Sequence, residues 1–102
     1  MFVINVLYPN TPGKKFDLDY YKATHMPLVR KLMEPDGLKG LNFYQPSDMM
    51  GAPPYRLVAE LQFDDAATAQ AALGKHGAAT QGDIPNFTDE RAVILLGPVV
   101  AA

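Results

Sequence analysis

Apolar residues in this chain recur with two different periods, and the periods alternate in a fixed order. Tyr55 to Phe63 steps by two, with Leu57, Ala59, Leu61 and Phe63 on one side and Arg56, Val58, Glu60 and Gln62 on the other. That is the pattern of a strand with one buried face. Phe2 to Tyr8 behaves the same way, with Phe2, Ile4, Val6 and Tyr8 opposite Val3, Asn5 and Leu7, and it ends at Pro9-Asn10-Thr11-Pro12-Gly13. Between these strands, Leu18, Tyr21, His25, Leu28 and Leu32 recur in steps of three and four. That spacing predicts a helix with those residues on its inner face.

Local signals fill in the rest. Asp17 is placed to cap the first helix, and Asp36-Gly37 to end it. Pro27 lacks a backbone donor, so a kink or break is expected near Thr24 to Met26. Leu38 to Gln45 reads as a strand, with Leu41 and Phe43 on one face and Asn42 and Tyr44 on the other. Asp64 is expected to cap a second helix over 65–76, stopped by Gly77, with Ala66, Ala69, Leu73 and His76 inward. The stretch 78–90 reads as a long connection of the kind that forms a lid. Arg91 to Leu96 reads as a last strand stopped by Gly97-Pro98.

The order is β-α-β-β-α-β, which predicts an α+β ferredoxin-like sandwich in one domain spanning 1–102. Two helices can cover only one sheet face. Val3, Leu7 and Val58, or their alternates, are left on the other, so a twofold homodimer that covers it is expected.

Composition narrows the functions. A net charge of −2 argues against a nucleic-acid surface. With no cysteine, thiolate chemistry and disulfides are excluded, and a reducing cytoplasm is the expected setting. No apolar run is long enough for a membrane span. No phosphate loop or metal-ligand cluster is evident, so no cofactor and no metal are expected.

His25 is the residue with the most chemistry in prospect. On an apolar helix face it is either a satisfied core residue or the working base of a pocket. Tyr21, one turn earlier, either orients the imidazole, polarises a substrate oxygen, or packs as a core tyrosine. Asn5, Asn42 and Tyr44 either line a pocket or face a dimer partner. Asp83 or Asp89 could pair with His25, or simply cap and solvate. Phe87 and Ile84 are candidates for an apolar lid over a small-molecule ligand. His76 is expected to end the second helix, where a cation suits the dipole.

The stretch Tyr20-Tyr21-x-x-x-His25-x-Pro27-Leu28, with Asp83-Ile84-Pro85-Asn86-Phe87-Thr88-Asp89 before the last strand, resembles the EthD family. The likeness runs from Phe2 to about Gly97. The family is named for a protein encoded beside a cytochrome P450 system for ethyl tert-butyl ether degradation. The resemblance implies a dimeric α/β-barrel with a pocket between sheet and helices. Relatives of that fold include cyclases, dehydratases, isomerases, cofactor-free monooxygenases and haem-degrading enzymes, so the resemblance implies no single reaction; with His25 on the apolar stripe, the expected activity is proton-transfer chemistry on a small apolar oxygenated molecule. A non-catalytic carrier of a pathway intermediate, or a structural dimer, would use the same fold.

Overall fold

The computed structural model describes residues 1–101. Four strands, β1 (Phe2–Pro9), β2 (Gly40–Tyr44), β3 (Tyr55–Phe63) and β4 (Val93–Pro98), form one antiparallel sheet in the order β2-β3-β1-β4. Helices α1 (Leu18–Tyr20), α2 (Met26–Met33) and α3 (Ala66–Gly82) lie on one face. This is the ferredoxin-like sandwich that the element order predicts.

The expected alternation sets the layers. Ile4 and Tyr8 of β1 and Leu57, Ala59, Leu61 and Phe63 of β3 point to the helices and are buried. Leu41 and Phe43 of β2 pack against the same core. The opposite face carries Asn5 paired with Glu60, which in turn pairs with Asn42.

The first helical rod departs from the prediction. Asp17 does cap it, accepting from the Tyr20 amide at 3.1 Å. Between α1 and α2, however, Tyr21–His25 form a π-helical turn in which the Met26 amide donates to the Tyr21 carbonyl. The widened turn gives the Pro27 ring room against the carbonyl one turn back. It also inserts one residue into the helical repeat. Beyond it the buried positions are therefore Met26, Val29 and Met33, not the expected Leu28 and Leu32, which are half-exposed.

The second helix begins one residue later than expected and ends six later. Asp65, not Asp64, is its cap, accepting from the Thr68 amide at 2.8 Å. Gly77 does not stop it. That glycine is buried without a left-handed conformation, and Thr80 beyond it is buried and donates back to the His76 and Gly77 carbonyls. The inward stripe is accordingly Ala69, Ala72, Gly77 and Thr80. His76 lies inside the helix rather than at its end, so it does not serve the dipole. Its Nε2 meets the Asp36 carboxylate at the close of the first helical rod.

The expected lid is not loose. It consists of the end of α3, a 3-10 turn at Ile84–Asn86, and a bridge from Thr88 to Phe16. Thr88 donates to the Lys15 carbonyl at 2.6 Å and the Asp17 amide to the Phe87 carbonyl at 2.7 Å. The last strand is shifted by two residues and includes Gly97 and Pro98, paired with Val3 and Phe2. Proline is tolerated there because β4 is an edge strand. Among the described residues no helix is long and apolar enough to cross a membrane.

Candidate functional site

The π turn sends Tyr21 and His25 into the space between sheet and helices. Tyr21 is fully buried and His25 is 4% exposed. Their rings stack at 5.3 Å between centroids and 23° between planes. Phe87 closes on both, 4.7 Å from the imidazole and 5.2 Å from the phenol. Tyr8 and Phe16 complete the aromatic cluster.

Asp83 follows the last residue of α3, which places its carboxylate over the π turn. His25 Nδ1 lies 2.9 Å from Asp83 Oδ2. The Tyr20 hydroxyl and the Asn86 amide donate to Oδ1 at 2.7 and 2.9 Å. Burial pushes the Asp83 carboxyl up, but its bonds with Asn86, His25 and Tyr20 together outweigh that and hold it below its ordinary value. It is therefore an ionised acceptor at neutral pH, and His25 Nδ1 must carry the proton. Burial lowers the imidazole's own pKa against the opposing pull of Asp83. The outcome is a neutral ring whose Nε2 lone pair has no hydrogen-bond partner among the described residues and is not sealed from open space.

That space is a largely apolar cavity walled by Ile4, Val6, Met26, Val29, Leu61 and Ile94, with Tyr8, Tyr21, His25, Thr80 and Gln81 as its polar residues. Its volume is about 40 Å³, so it is narrow. The Tyr21 hydroxyl is buried there and makes no hydrogen bond of full geometry among the described residues. Burial raises the pKa of both the Tyr8 and the Tyr21 phenol far above neutrality, so both stay protonated.

The residues singled out from sequence thus divide. Tyr21, His25 and Phe87 come together, with Phe87 behind the imidazole rather than in the cavity wall, and Ile84 in the wall. Asn5, Asn42 and Tyr44 lie on the opposite sheet face, in a shallow hollow with Glu60, Val58 and Leu95. Of the two aspartates weighed as partners, Asp83 meets His25, while Asp89 is exposed. Sequence reasoning missed Tyr8, Tyr20 and Asn86. Tyr8 was legible as the last inward residue of β1. Tyr20 reads as a residue at the helix edge, and only the folded position of Asp83 gives it a partner. Among the described residues no group of three or more His, Cys, Asp or Glu could hold a metal ion.

Comparison with known proteins gives the family. Residues 13–91 match the EthD domain. An EthD-like protein from Ralstonia eutropha JMP134 is 31% identical with a TM-score of 0.85, over 98% of this chain and 92% of that one. An EthD family protein from Bacillus halodurans C-125 is 24% identical with a TM-score of 0.74, over 98% and 100%. SnoaB, a cofactor-independent oxygenase from Streptomyces nogalater, shares the fold alone, at 9% identity and a TM-score of 0.61 over 97% and 93%. No curated protein matches the chain. The sheet order, the helix motif ending in Pro27-Leu28 and the match over most of the length converge on one assignment: the chain belongs to the EthD family.

Proposed function

We propose that the chain is a small cofactor-free enzyme that removes a proton from an apolar oxygenated molecule. The observation that carries this is His25, a neutral imidazole held by Asp83 through Nδ1, with Nε2 free in an apolar cavity. A base needs a lone pair near the substrate and a partner that stabilises the imidazolium it becomes. Asp83 supplies that partner. Tyr21 donates to the oxygen on which negative charge develops, and Phe87 keeps the imidazole dry from behind. Cyclisation, dehydration, isomerisation and cofactor-free oxygenation all begin with such a carbanion, so the dyad suits each of these classes.

The native assembly in this proposal is a homodimer in the cytoplasm. Support comes from the exposed apolar residues Tyr44, Val93 and Leu95 on the uncovered sheet face. Asn5, Asn42 and Tyr44 then line the space between the two sheets. In this proposal the substrate belongs to a catabolic pathway such as ether degradation beside a cytochrome P450, a reading supported by the match to the EthD domain.

The test is turnover. With a substrate found by screening oxygenated hydrocarbons, His25→Ala is expected to abolish activity while the fold survives by circular dichroism. Unchanged turnover would remove His25 from the mechanism. The narrowness of the cavity favours a second reading, a carrier that encloses a reactive intermediate; it predicts stoichiometric binding with the ligand recovered unaltered, and any product eliminates it.

A further inference from the structure

Tyr21 keeps a fully buried hydroxyl that makes no hydrogen bond of full geometry among the described residues. Native proteins rarely leave such a group unpaired. The Tyr8 phenol lines the same cavity, is 1% exposed and makes no hydrogen bond of good geometry. The two hydroxyls are near enough for a weak mutual hydrogen bond, with Tyr8 lowered and Tyr21 raised by it, and such a contact uses only one of the two O–H donors. Their rings meet edge to face at 5.8 Å. One from β1 and one from the π turn, they converge at one wall, while the rest of the lining is largely aliphatic.

We infer that Tyr8 and Tyr21 form an oxygen-binding subsite, and that the ligand is an uncharged planar ketone or phenol whose single oxygen sits on that pair. This deepens the proposal for His25 and rests on the same cavity. The chemistry of the walls sets the class. Two phenolic donors call for an oxygen with lone pairs. The neighbouring Nε2 is an acceptor and calls for an acidic hydrogen close to that oxygen, either an O–H or a C–H beside a carbonyl. No lysine or arginine lines the cavity, and Asp83 stands behind the imidazole with its negative charge. An anionic ligand would meet no counter-charge there. The narrow cavity favours a flat ring over a branched or globular body.

The proton step balances without a further reactant. The C–H bond beside the carbonyl breaks, its proton forms an N–H bond at Nε2, and the electron pair moves to the carbonyl oxygen. The enolate oxygen is held by the two phenols and the imidazolium by Asp83. The imidazolium trades that proton for a solvent deuteron, and return of the deuteron from Nε2 to the carbon completes an exchange.

Three probes of matched shape test this on the intact protein: naphthalene, 2-naphthol and 2-tetralone. Affinities are read by fluorescence for the first two, and deuterium uptake beside the carbonyl of 2-tetralone by NMR. 2-Naphthol is expected to bind at least about tenfold tighter than naphthalene, and Tyr21→Phe or Tyr8→Phe to erase most of that gap, the size of one neutral hydrogen bond. Deuterium uptake should exceed the buffer rate and fall about 100-fold in Tyr21→Phe. Tyr21→Phe should also leave the ligand-free protein about as heat-stable as the parent, since the lost hydroxyl made no hydrogen bond of full geometry. Equal binding of naphthalene and 2-naphthol overturns the subsite, as does indifference of both readouts to both phenylalanine variants. Uptake that depends on His25 but not on either tyrosine leaves the base standing and removes the subsite. A tyrosine-dependent affinity gap with no uptake keeps the subsite and removes the base.

Discussion

His25 and Asp83 stand 58 residues apart in sequence and 2.9 Å apart in the fold. The pair joins the π turn of the first helical rod to the end of α3. It therefore couples the ionisation of a buried ring to the packing of the two helical rods against each other.

The first prediction concerns acid. The folded pKa of His25 lies below its unfolded value of about 6.5. Below that value the unfolded chain binds the proton first, so this share of stability is complete above about 6.5 and is lost as pH falls toward the folded value. Asp83, also lowered, contributes in the same direction but further down, its share present above about 4 and lost as pH falls through its folded value. Urea midpoints at pH 7 and 5.5 should fall on acidification, and the fall should be smaller in His25→Gln.

Replacing Asp83 by asparagine tests the anchor. The amide keeps the shape but removes the charge that favours the imidazolium. The pKa of His25 should fall further, and nitrogen NMR should show the ring no longer held with its proton on Nδ1. Any activity that uses Nε2 as base should drop by about 10²–10⁴. A variant with parental tautomer and rate would sink the role given to Asp83.

Phe87 is fully buried against Tyr8, Phe16, Tyr21 and His25. Phe87→Ala should cost about 3–5 kcal/mol, measured by denaturant unfolding. Water entering the gap should move the His25 pKa back toward its ordinary value, a shift that simple loss of packing elsewhere would not produce.

Gly37 ends the first helical rod at φ 108°, and a Cβ there would collide with Thr68 Cγ2. Gly37→Ala should cost about 1–3 kcal/mol from the backbone alone, plus the clash. Adding Thr68→Ser removes the offending methyl. Thermal melts should show that the double variant recovers part of the loss, because the left-handed conformation stays strained.

The uncovered sheet face makes the last prediction. Light scattering should give a species of twice 11.1 kDa at micromolar concentration. Leu95→Glu, on a residue 56% exposed, should return it to a single chain. A parent protein already running at 11.1 kDa would refute the dimer.

Much of this fold was legible. The alternation from Leu57 to Phe63 and from Phe2 to Tyr8 sorted the strand residues into two faces, because side chains alternate with a period of two, while the face that the helices cover was left open. Helical rules failed where a local signal had two readings. Gly77 is a stop by composition, yet it is buried within α3, and burial of Thr80 one turn later accompanies the helix's continuation. Leu28 and Leu32 are spaced as core residues, yet the π turn displaces them. In the site, His25 and Tyr21 were legible from the helix face. The choice of Asp83 over Asp89 was not, since it depends on where α3 ends and the 3-10 turn begins. Asn5, Asn42 and Tyr44 were given a face by alternation, but only the assembled sheet sets that face apart from the cavity.

The π turn works as a phase shifter. Tyr21 and His25 take one alignment to the sheet and Met26, Val29 and Met33 take another, and the offset between them is a single residue. Deleting any one of Lys22, Ala23 or Thr24 would restore an ordinary repeat and turn one half of the rod by about a quarter-circle against the other. Either the methionines would leave the core or the imidazole would swing away from its carboxylate. A frame of one surplus amino acid thus keeps the apolar seal and the base in register, and its loss would be read along the whole rod rather than at the point of deletion.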